Sequence, residues 1–328
     1  MMEFDLIDRI RARVVRRGDV RLGIGDDAAL LVPHATERLV AACDTMNVGV
    51  HFPPDTAPAD IGWKALAVNL SDLAAMGATP AWALLSLSLP QPDAAWLDAF
   101  LDGFSELAAR HDVALVGGDT TRGALSICVT ALGFVPHAQA LKRANAHPGD
   151  IVCVTGTLGD AAAGLQRWEH PAPDAGASAD AEAHAFLRRR LARPTPRVAA
   201  AAILRGRARA CIDVSDGLVA DLGHVARASA VAIDIDAAAL PASNALRRLA
   251  DAAGRLPLQA AGGDDYELAF TVAQIDCDAL LADLIASGTP ATRIGRVRDG
   301  DGVALLDPAG NPLPVPRGWR HFAESAAT

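Results

Sequence analysis

The chain has 328 residues, of which 51% are apolar, and a formal net charge of −9. This length predicts about two domains, and no run approaches the ~18 apolar residues that a membrane-spanning helix needs. The negative charge argues against nucleic acid as a main partner, but it is compatible with a phosphorylated ligand held through metal ions.

The cysteines and the first residues indicate a cellular location. Five cysteines are scattered without a C-x-x-C pair, a pattern typical of free thiols in a reducing compartment rather than of disulfides or a zinc site. The stretch from Met1 to Asp19 is charged and amphipathic and does not resemble a secretion signal. We therefore expect a soluble, cytoplasmic protein without a membrane partner.

The first half of the chain contains predicted helices and strands in a mixed order. Pro58 near a start and Gly77 after a stop predict a helix within 58–80, and a second amphipathic helix is predicted over 93–112. Strands are predicted at 40–42, 81–90, 113–123 and 124–135. Because the order lacks strict βαβ alternation, it favours an α+β fold.

A turn-rich stretch at 145–150 marks the boundary between the halves, and we predict domains at 1–140 and 148–328. A strand and then a glycine turn and helix are predicted from residue 151. Residues 169–181 contain few core-forming side chains and predict a loop. The last predicted segments are strand–turn–helix and turn–strand, at 207–229 and 258–272.

Common nucleotide-binding motifs are absent from the sequence. It contains no P-loop pattern, and no Rossmann G-x-G-x-x-G follows a strand. The segment TGTLGD, residues 155–160, is a weak glycine-rich signal. A strand-to-helix turn is the favoured interpretation of this segment.

Aspartates recur at or near the ends of the predicted apolar strands. They are Asp26, Asp27, Asp44, Asp119, Asp213, Asp216, Asp264 and Asp265. Asp72 lies inside the first long helix, with Asn69 on the same face. Asp is rarely buried without a partner, and no matching cluster of Lys or Arg accompanies this set. Oxygen ligands suit Mg²⁺ that bridges to phosphates, so the pattern predicts a magnesium-dependent phosphoryl-transfer or nucleotide site.

Single members of this set also have purely structural interpretations. Gly-Asp-Asp is good turn chemistry in any protein. Asp216 is also compatible with a simple helix N-cap. The recurrence of the pattern, rather than any one residue, favours the metal site.

Five segments, in this order, closely resemble the thiamine-monophosphate kinases of the aminoimidazole ribonucleotide synthetase superfamily: GIGDDAALL, KALAVNLSDLAAMGATP, GGDTTRG, DVSDGL and GGDDYEL. The match extends from about Phe4 to the RGWRHF tail. The resemblance implies an N-terminal α/β domain that binds ATP and Mg²⁺ and dimerises into a barrel-like sheet. It also implies a C-terminal α+β domain that completes the active site, and phosphorylation of thiamine monophosphate to thiamine diphosphate with ATP as co-substrate and several Mg²⁺ ions.

The resemblance assigns roles to individual residues. Metal ligands are implied at Asp27, Cys43, Asp44, Asp72, Asp119, Asp213 and Asp216, where Cys43 has only its backbone carbonyl to offer. ATP contacts are implied at Gly118, Asp119, Arg143 and Ser215. Thiamine-phosphate contacts are implied at His51, Asp264 and Trp319. No covalent nucleophile is expected, and direct in-line transfer of the γ-phosphoryl group is predicted because the aspartates are committed to metals.

Alternatives remain for the residues outside the acidic set. Without the resemblance, His51 is equally typical of a surface or core residue, Trp319 of a packing anchor and Arg143 of a solvated linker. The chain also departs from the family pattern in three places. Ala42-Cys43 replaces a hydroxyl-bearing pair, Asp264 replaces a longer Glu, and Arg110-His111 occupy a stretch where an aromatic often stacks on the nucleotide.

Other functions fit the sequence less well. A selenophosphate synthetase should carry a reactive Cys near its N-terminus, and none precedes Cys43. The hydrogenase-maturation relative should end in a Cys-bearing tail, whereas this chain ends in AESAAT. A non-catalytic nucleotide-binding protein needs fewer carboxylates, and a phosphohydrolase would use the metals to activate water. Incubation with ATP and thiamine monophosphate separates these possibilities.

Overall fold

The computed structural model describes residues 3–169 and 178–314. The helices, in chain order, are α1 (Glu3–Arg11), α2 (Pro58–Ala75), α3 (Ala94–Arg110), α4 (Asp160–Glu169), α5 (Ala179–Ala192), α6 (Val198–Leu204), α7 (Leu218–Ser229), α8 (Asn244–Leu249), α9 (Ala252–Ala261) and α10 (Cys277–Ala286). The strands are β1 (Val20–Leu22), β2 (Leu30–Leu31), β3 (Glu37–Asn47), β4 (Thr79–Leu89), β5 (Ala114–Arg122), β6 (Ser126–Pro136), β7 (Ile151–Thr155), β8 (Ala210–Asp213), β9 (Ala232–Asp236), β10 (Leu268–Val272), β11 (Ala291–Arg298) and β12 (Gly302–Leu306).

The first of two compact units contains the residues up to Ala140 together with Ala192–Arg205. Its main sheet has the strand order β3-β6-β4-β5, in which only the β4–β5 pair is parallel. Helix α2 packs on β3, β4 and β6 and also contacts α3. Because α2 lies between the sheet and α3, its side chains are buried from Ile61 to Ala75, with Asp72 as the one half-buried exception in that range.

Local signals placed α2, α3, β4, β5 and β6 of this unit correctly. Helix α2 begins at Pro58 and ends before Gly77, whose φ is +72°. Asp93 caps α3 by accepting a hydrogen bond from the Trp96 amide over 3.0 Å. The predicted strands at 81–90, 113–123 and 124–135 correspond to β4, β5 and β6.

Two of the predicted aspartates lie inside strands, each three residues before the strand ends. Strand β3 is much longer than predicted, and Asp44 lies in its second half. Asp119 lies within β5, which continues to Arg122. Both strands are edge strands of the sheet, a position in which charged side chains remain accessible to solvent.

The second unit contains Leu141–Leu191 and the residues from Gly206 onward. Its sheet has the order β12-β9-β11-β7-β10-β8, and all its pairs are antiparallel except β12 with β9. Every residue of β7, β8 and β10 is buried. Because β10 runs antiparallel to both β7 and β8, its start lies beside their ends, and the turns at these three strand ends meet at one edge of the sheet.

The structure differs from the predicted domain division in one segment. The prediction assigned everything after residue 148 to the second domain, but 192–205 returns to the first unit. The Trp63 indole donates a 2.8 Å hydrogen bond to the Pro194 carbonyl, and Arg193 pairs with Asp60 and Glu106. These partners are distant in sequence, so local patterning gives no indication of them.

The predicted loop at 169–181 and the predicted turn at 155–160 had different outcomes. Residues 170–177 lie outside the described residues, and α5 already begins at Ala179, so the end of the predicted loop is helical. The TGTLGD segment connects β7 to α4, which confirms the strand-to-helix turn. None of the helices in the described ranges is long and apolar enough to cross a bilayer.

Candidate active site

A cavity of about 950 Å³ lies in the first unit. Its walls come from the Gly-Asp-Asp loop between β1 and β2, from residues 116–120 of β5, and from parts of α1 and β4. The predicted site residues Asp27, Gly118 and Asp119 all line it. Leu31, Leu84, Leu132 and other apolar side chains complete the lining, so the cavity offers an apolar wall beside a charged one.

The charged wall of the cavity carries carboxylates that are not neutralised by the protein. Asp26 accepts a 2.9 Å hydrogen bond from the Asp27 amide, which fixes the turn. The carboxylates of Asp27 and Asp119 are exposed and make no ion pair within the part of the chain that the structure describes. Such groups suit a ligand that brings cations with it.

Backbone packing brings Asp119 to this wall. Gly118 has a φ of +148°, and a Cβ at this position would lie 1.8 Å from the carbonyl oxygen of Leu85 on β4. Only glycine allows this close approach of the two parallel strands. Asp119 follows directly and is exposed.

A second pair of predicted ligands lies where β3 meets α2. The fully buried amide of Asn69 accepts a 3.0 Å hydrogen bond from the backbone N–H of Asp44. Asp72 lies one helical turn after Asn69, on the same face of α2. Asn69 therefore ties the Asp44 backbone to the helix that carries Asp72.

The Cys43 side chain interacts with β6. Its Sγ lies 3.4 Å from the Cys128 Sγ and accepts from the Thr130 hydroxyl at 3.4 Å. Burial raises the pKa of the Cys128 thiol, so that thiol stays protonated at neutral pH. A role for Cys43 through its backbone carbonyl remains a prediction.

The donor chemistry fits a hard cation, but no complete metal site is formed. The predicted ligands offer carboxylate oxygens, which suit Mg²⁺. Among the described residues, no three His, Cys, Asp or Glu side chains converge closely enough to hold a metal ion. Since Mg²⁺ usually takes only one or two carboxylates and completes its shell with water and phosphate oxygens, the set is compatible with ions that arrive with a nucleotide.

In the second unit, the turn after β8 is held by one buried carboxylate that the sequence reading missed. Asp221, in the first turn of α7, accepts hydrogen bonds from the amides of Ser215, Asp216 and Gly217 over 3.0, 3.1 and 3.2 Å. Burial, reinforced by the charges of Asp213 and Asp216, raises the pKa of Asp221 to about 7. The N-cap of α7 is Gly217, so Asp216 is not an N-cap. The acidic residue five positions after Asp216 was the available signal.

The turn before β10 pairs with this turn. The Asp264 amide donates to the Ser215 carbonyl over 2.9 Å, and the Tyr266 amide donates to the Val214 carbonyl over 2.8 Å. The Tyr266 hydroxyl donates to the Asp264 carboxylate over 3.1 Å. The structure thus brings together Ser215, a predicted ATP contact, and Asp264, a predicted substrate contact.

Comparison with known proteins gives this site a family. The family model for the AIR synthase related protein, N-terminal domain, matches residues 25–135, and that for the C-terminal domain matches 147–307. The thiamine-monophosphate kinase of Escherichia coli K12 is 46% identical over 98% of both chains. The chain belongs to the thiamine-monophosphate kinase family.

Solved structures of this family resemble the chain throughout. The thiamine-monophosphate kinase of Stenotrophomonas maltophilia K279a is 54% identical, with a TM-score of 0.87 over 95% of this chain and 98% of that one. A structure of AaThiL complexed with AMPPCP and TMP is 34% identical, with a TM-score of 0.78 over 98% and 97% of the two chains. The AIR synthase-like domains of mixed α and β content confirm the predicted α+β class.

Three residues predicted from the family pattern remain, namely His51, Arg143 and Trp319. The His51 Nδ1 accepts from the Asn47 amide over 3.0 Å, and the His51 carbonyl accepts from the Lys64 ammonium over 3.0 Å, so His51 belongs to an ordered turn before α2. Arg143 is exposed, and its carbonyl accepts from the Ser229 hydroxyl. Trp319 lies outside the described residues.

The family's stacking aromatic has no direct substitute at the end of α3. The Arg110 guanidinium lies 4.7 Å from the centre of the Trp63 ring and pairs with Glu106. Burial lowers the pKa of the neighbouring His111, which keeps that ring neutral. These contacts give Arg110 partners within the protein.

Proposed function

We propose that this chain transfers the γ-phosphoryl group of ATP to thiamine monophosphate, giving thiamine diphosphate and ADP. The observation that carries the proposal is the cavity in which the Gly-Asp-Asp loop meets Gly118 and Asp119, with unpaired carboxylates beside an apolar wall. Full-length similarity to thiamine-monophosphate kinases supports it, as does the likeness to AaThiL complexed with AMPPCP and TMP.

We propose magnesium ligands in each unit. In the first unit they are Asp27, Asp44, Asp72 and Asp119, with the carbonyl of Cys43, and in the second they are Asp213 and Asp216. Bound Mg²⁺ would neutralise the phosphate charge, because a phosphate and a carboxylate ~4 Å apart repel each other by several kcal/mol at low effective dielectric. Gly118, Arg143 and Ser215 are proposed ATP contacts, and His51, Asp264 and Trp319 are proposed substrate contacts.

Transfer is proposed to be direct and in line. The acceptor is a phosphate oxygen that is largely ionised near neutral pH, so it needs alignment and charge neutralisation rather than a strong base. A phosphoenzyme would need an activated nucleophile, and no His is among the described residues that line the cavity. Inversion at a chiral γ-phosphorus is expected, whereas retention or a kinetically competent phosphoprotein would contradict direct transfer.

A coupled assay of ADP release tests the activity. ADP release is expected with thiamine monophosphate and not with thiamine, which lacks the acceptor phosphate, or with aminoimidazole precursors. ADP release without any acceptor would favour a phosphohydrolase. Removal of Mg²⁺ with a chelator should abolish turnover. If added Mg²⁺ then restores turnover, the loss was not caused by damage to the protein.

We further propose that the chain forms a homodimer through the open face of the β3 sheet. Leu39, Ala41, Cys43 and Thr45 alternate along β3, share one face and are exposed. Sedimentation should show a dimer that Leu39→Arg weakens. Ile275→Arg, at an apolar side chain 91% exposed in the other unit, is the matched control and should not change the mass.

A further inference from the structure

Three buried carboxylates surround one guanidinium in the second unit. Asp160, Asp265 and Glu267 are 0%, 1% and 0% exposed, and the Arg190 side chain is 11% exposed. Arg190 donates to the Glu267 carboxylate over 2.9 Å and to the Asp265 carbonyl over 3.3 Å, and its Nε lies 3.8 Å from the Asp160 carboxylate. One guanidinium thus contacts all three acidic residues, and the proposed chemistry uses none of them.

Two of these carboxylates, those of Asp265 and Glu267, accept hydrogen bonds from the TGTLGD segment. The Thr155 hydroxyl donates to Glu267 over 2.7 Å, and the Gly159 amide donates to Asp265 over 2.7 Å. A Cβ at Gly156, whose φ is +58°, would lie 2.2 Å from a Glu267 carboxylate oxygen, so a side chain there would strain the backbone and displace Glu267. The TGTLGD segment, which is a weak glycine-rich signal in the sequence, therefore holds residues 265 and 267 in place.

The sheet topology explains why these segments meet. Strand β10 pairs with β7 in the register Ala269↔Val154 and with β8 in the register Leu268↔Asp213. Because both pairs are antiparallel, the turns after β7 and β8 and the turn before β10 lie at one edge of the sheet. Arg190 adds α5 to this edge.

The residues held in this way alternate with residues in an unfavourable backbone conformation. Asp264 has a φ of +68° and Tyr266 a φ of +50°. Non-glycine residues rarely adopt positive φ unless the surroundings impose it. The anchors on Asp265 and Glu267 lie directly beside both positions, and the Tyr266 hydroxyl then bonds the Asp264 carboxylate over 3.1 Å.

We propose that Arg190, with Thr155 and the Gly159 amide, positions Asp264 for the thiamine-phosphate substrate. The inference rests on the proposed function, in which Asp264 contacts that substrate. Arg190 reaches Asp264 only through Asp265 and Glu267, so it is a positioning residue rather than a catalytic one.

The first test is amide hydrogen exchange in the protein without ligands. Arg190→Met and the milder Thr155→Val should each speed exchange in peptides covering 262–268 by at least about tenfold, since tenfold corresponds to the loss of one buried hydrogen bond and each substitution removes two. Arg189→Met is the matched control, because Arg189 is the exposed neighbour on the same helix. Unchanged exchange in both Arg190→Met and Thr155→Val would overturn the proposal.

The second test separates positioning from general stability. Both variants should raise KM for thiamine monophosphate about tenfold and leave KM for ATP and kcat nearly unchanged. If Arg190→Met does not fold, Thr155→Val decides, since it removes one hydroxyl and keeps the shape. An equal rise in both KM values would overturn the positioning role. A wild-type protein that makes no thiamine diphosphate would overturn the proposed function instead, and exchange in the turn would still decide whether Arg190 and Thr155 hold it.

Discussion

Replacement of Gly118 by alanine tests how the cavity backbone is built. An added Cβ would lie 1.8 Å from the Leu85 carbonyl oxygen, whereas an ordinary contact begins at 3.4 Å, so β4 and β5 would have to separate by about 1.6 Å. The φ of +148° adds strain for any other residue. Together these effects should lower the free energy of unfolding by about 3 kcal/mol or more, since backbone strain alone accounts for about 1–3 kcal/mol.

Gly117→Ala is the matched control for this substitution. Its Cβ would lie 3.1 Å from the Cδ2 of Leu84, a side-chain methyl that is able to move, so the expected cost is about 1 kcal/mol. In thermal unfolding, Gly118→Ala should lower Tm by about 6–12 °C and Gly117→Ala by about 2–4 °C. Gly118→Ala should also weaken nucleotide binding, because it displaces Asp119. Equal unfolding temperatures for the two variants would refute the reasoning.

Three further substitutions test separate features. Asp119→Asn should keep the wild-type Tm and lose about 100-fold or more in turnover, and near-wild-type turnover at ordinary Mg²⁺ would contradict its metal role. Arg17 lowers the pKa of Asp19, so Asp19→Asn should lower the free energy of unfolding by about 1.5–3 kcal/mol at pH 7. The difference from wild type should shrink as the pH falls below about 3.9 and through the lower pKa that Asp19 has in the folded protein. Asp221→Ala should lower the free energy of unfolding more than Asp221→Asn, by about 1–3 kcal/mol, because asparagine keeps one acceptor; equal free energies of unfolding for the two variants would contradict the hydrogen bonds to three amides.

Several features of the candidate site were predictable because their signals are local. Pro58 and Gly77 bound α2, whose apolar face predicts burial, and Asp72 stands out as a carboxylate between apolar side chains. The glycines beside Asp27 and Asp119 mark turns and close approach. The order of the five motifs identified the family, which the full-length similarity to thiamine-monophosphate kinases confirms.

Other features depend on which strands become neighbours, and no local pattern contains that information. The length of β3 depends on its pairing with β6, which extends over eleven residues and places Asp44 inside the strand. In the sequence, Asp221 looks like any acidic residue in the first turn of a helix. Only the folded turn after β8 supplies the amides that its carboxylate binds. Segment 192–205 belongs to the first unit because Trp63 and Asp60 provide its partners there.

The sequence by itself therefore determined the two long helices of the first unit, the turn chemistry and the identity of the acidic motifs, since these follow from periodicity, capping and glycine positions over a few residues. The tertiary structure decided which motifs act on each other. Thr155 and Glu267 are separated by 112 residues, and only the insertion of β10 between β7 and β8 brings them within hydrogen-bonding distance. The buried Arg190 cluster follows from that pairing, because its three carboxylates become stable in the interior only when one guanidinium and the surrounding donors are assembled around them.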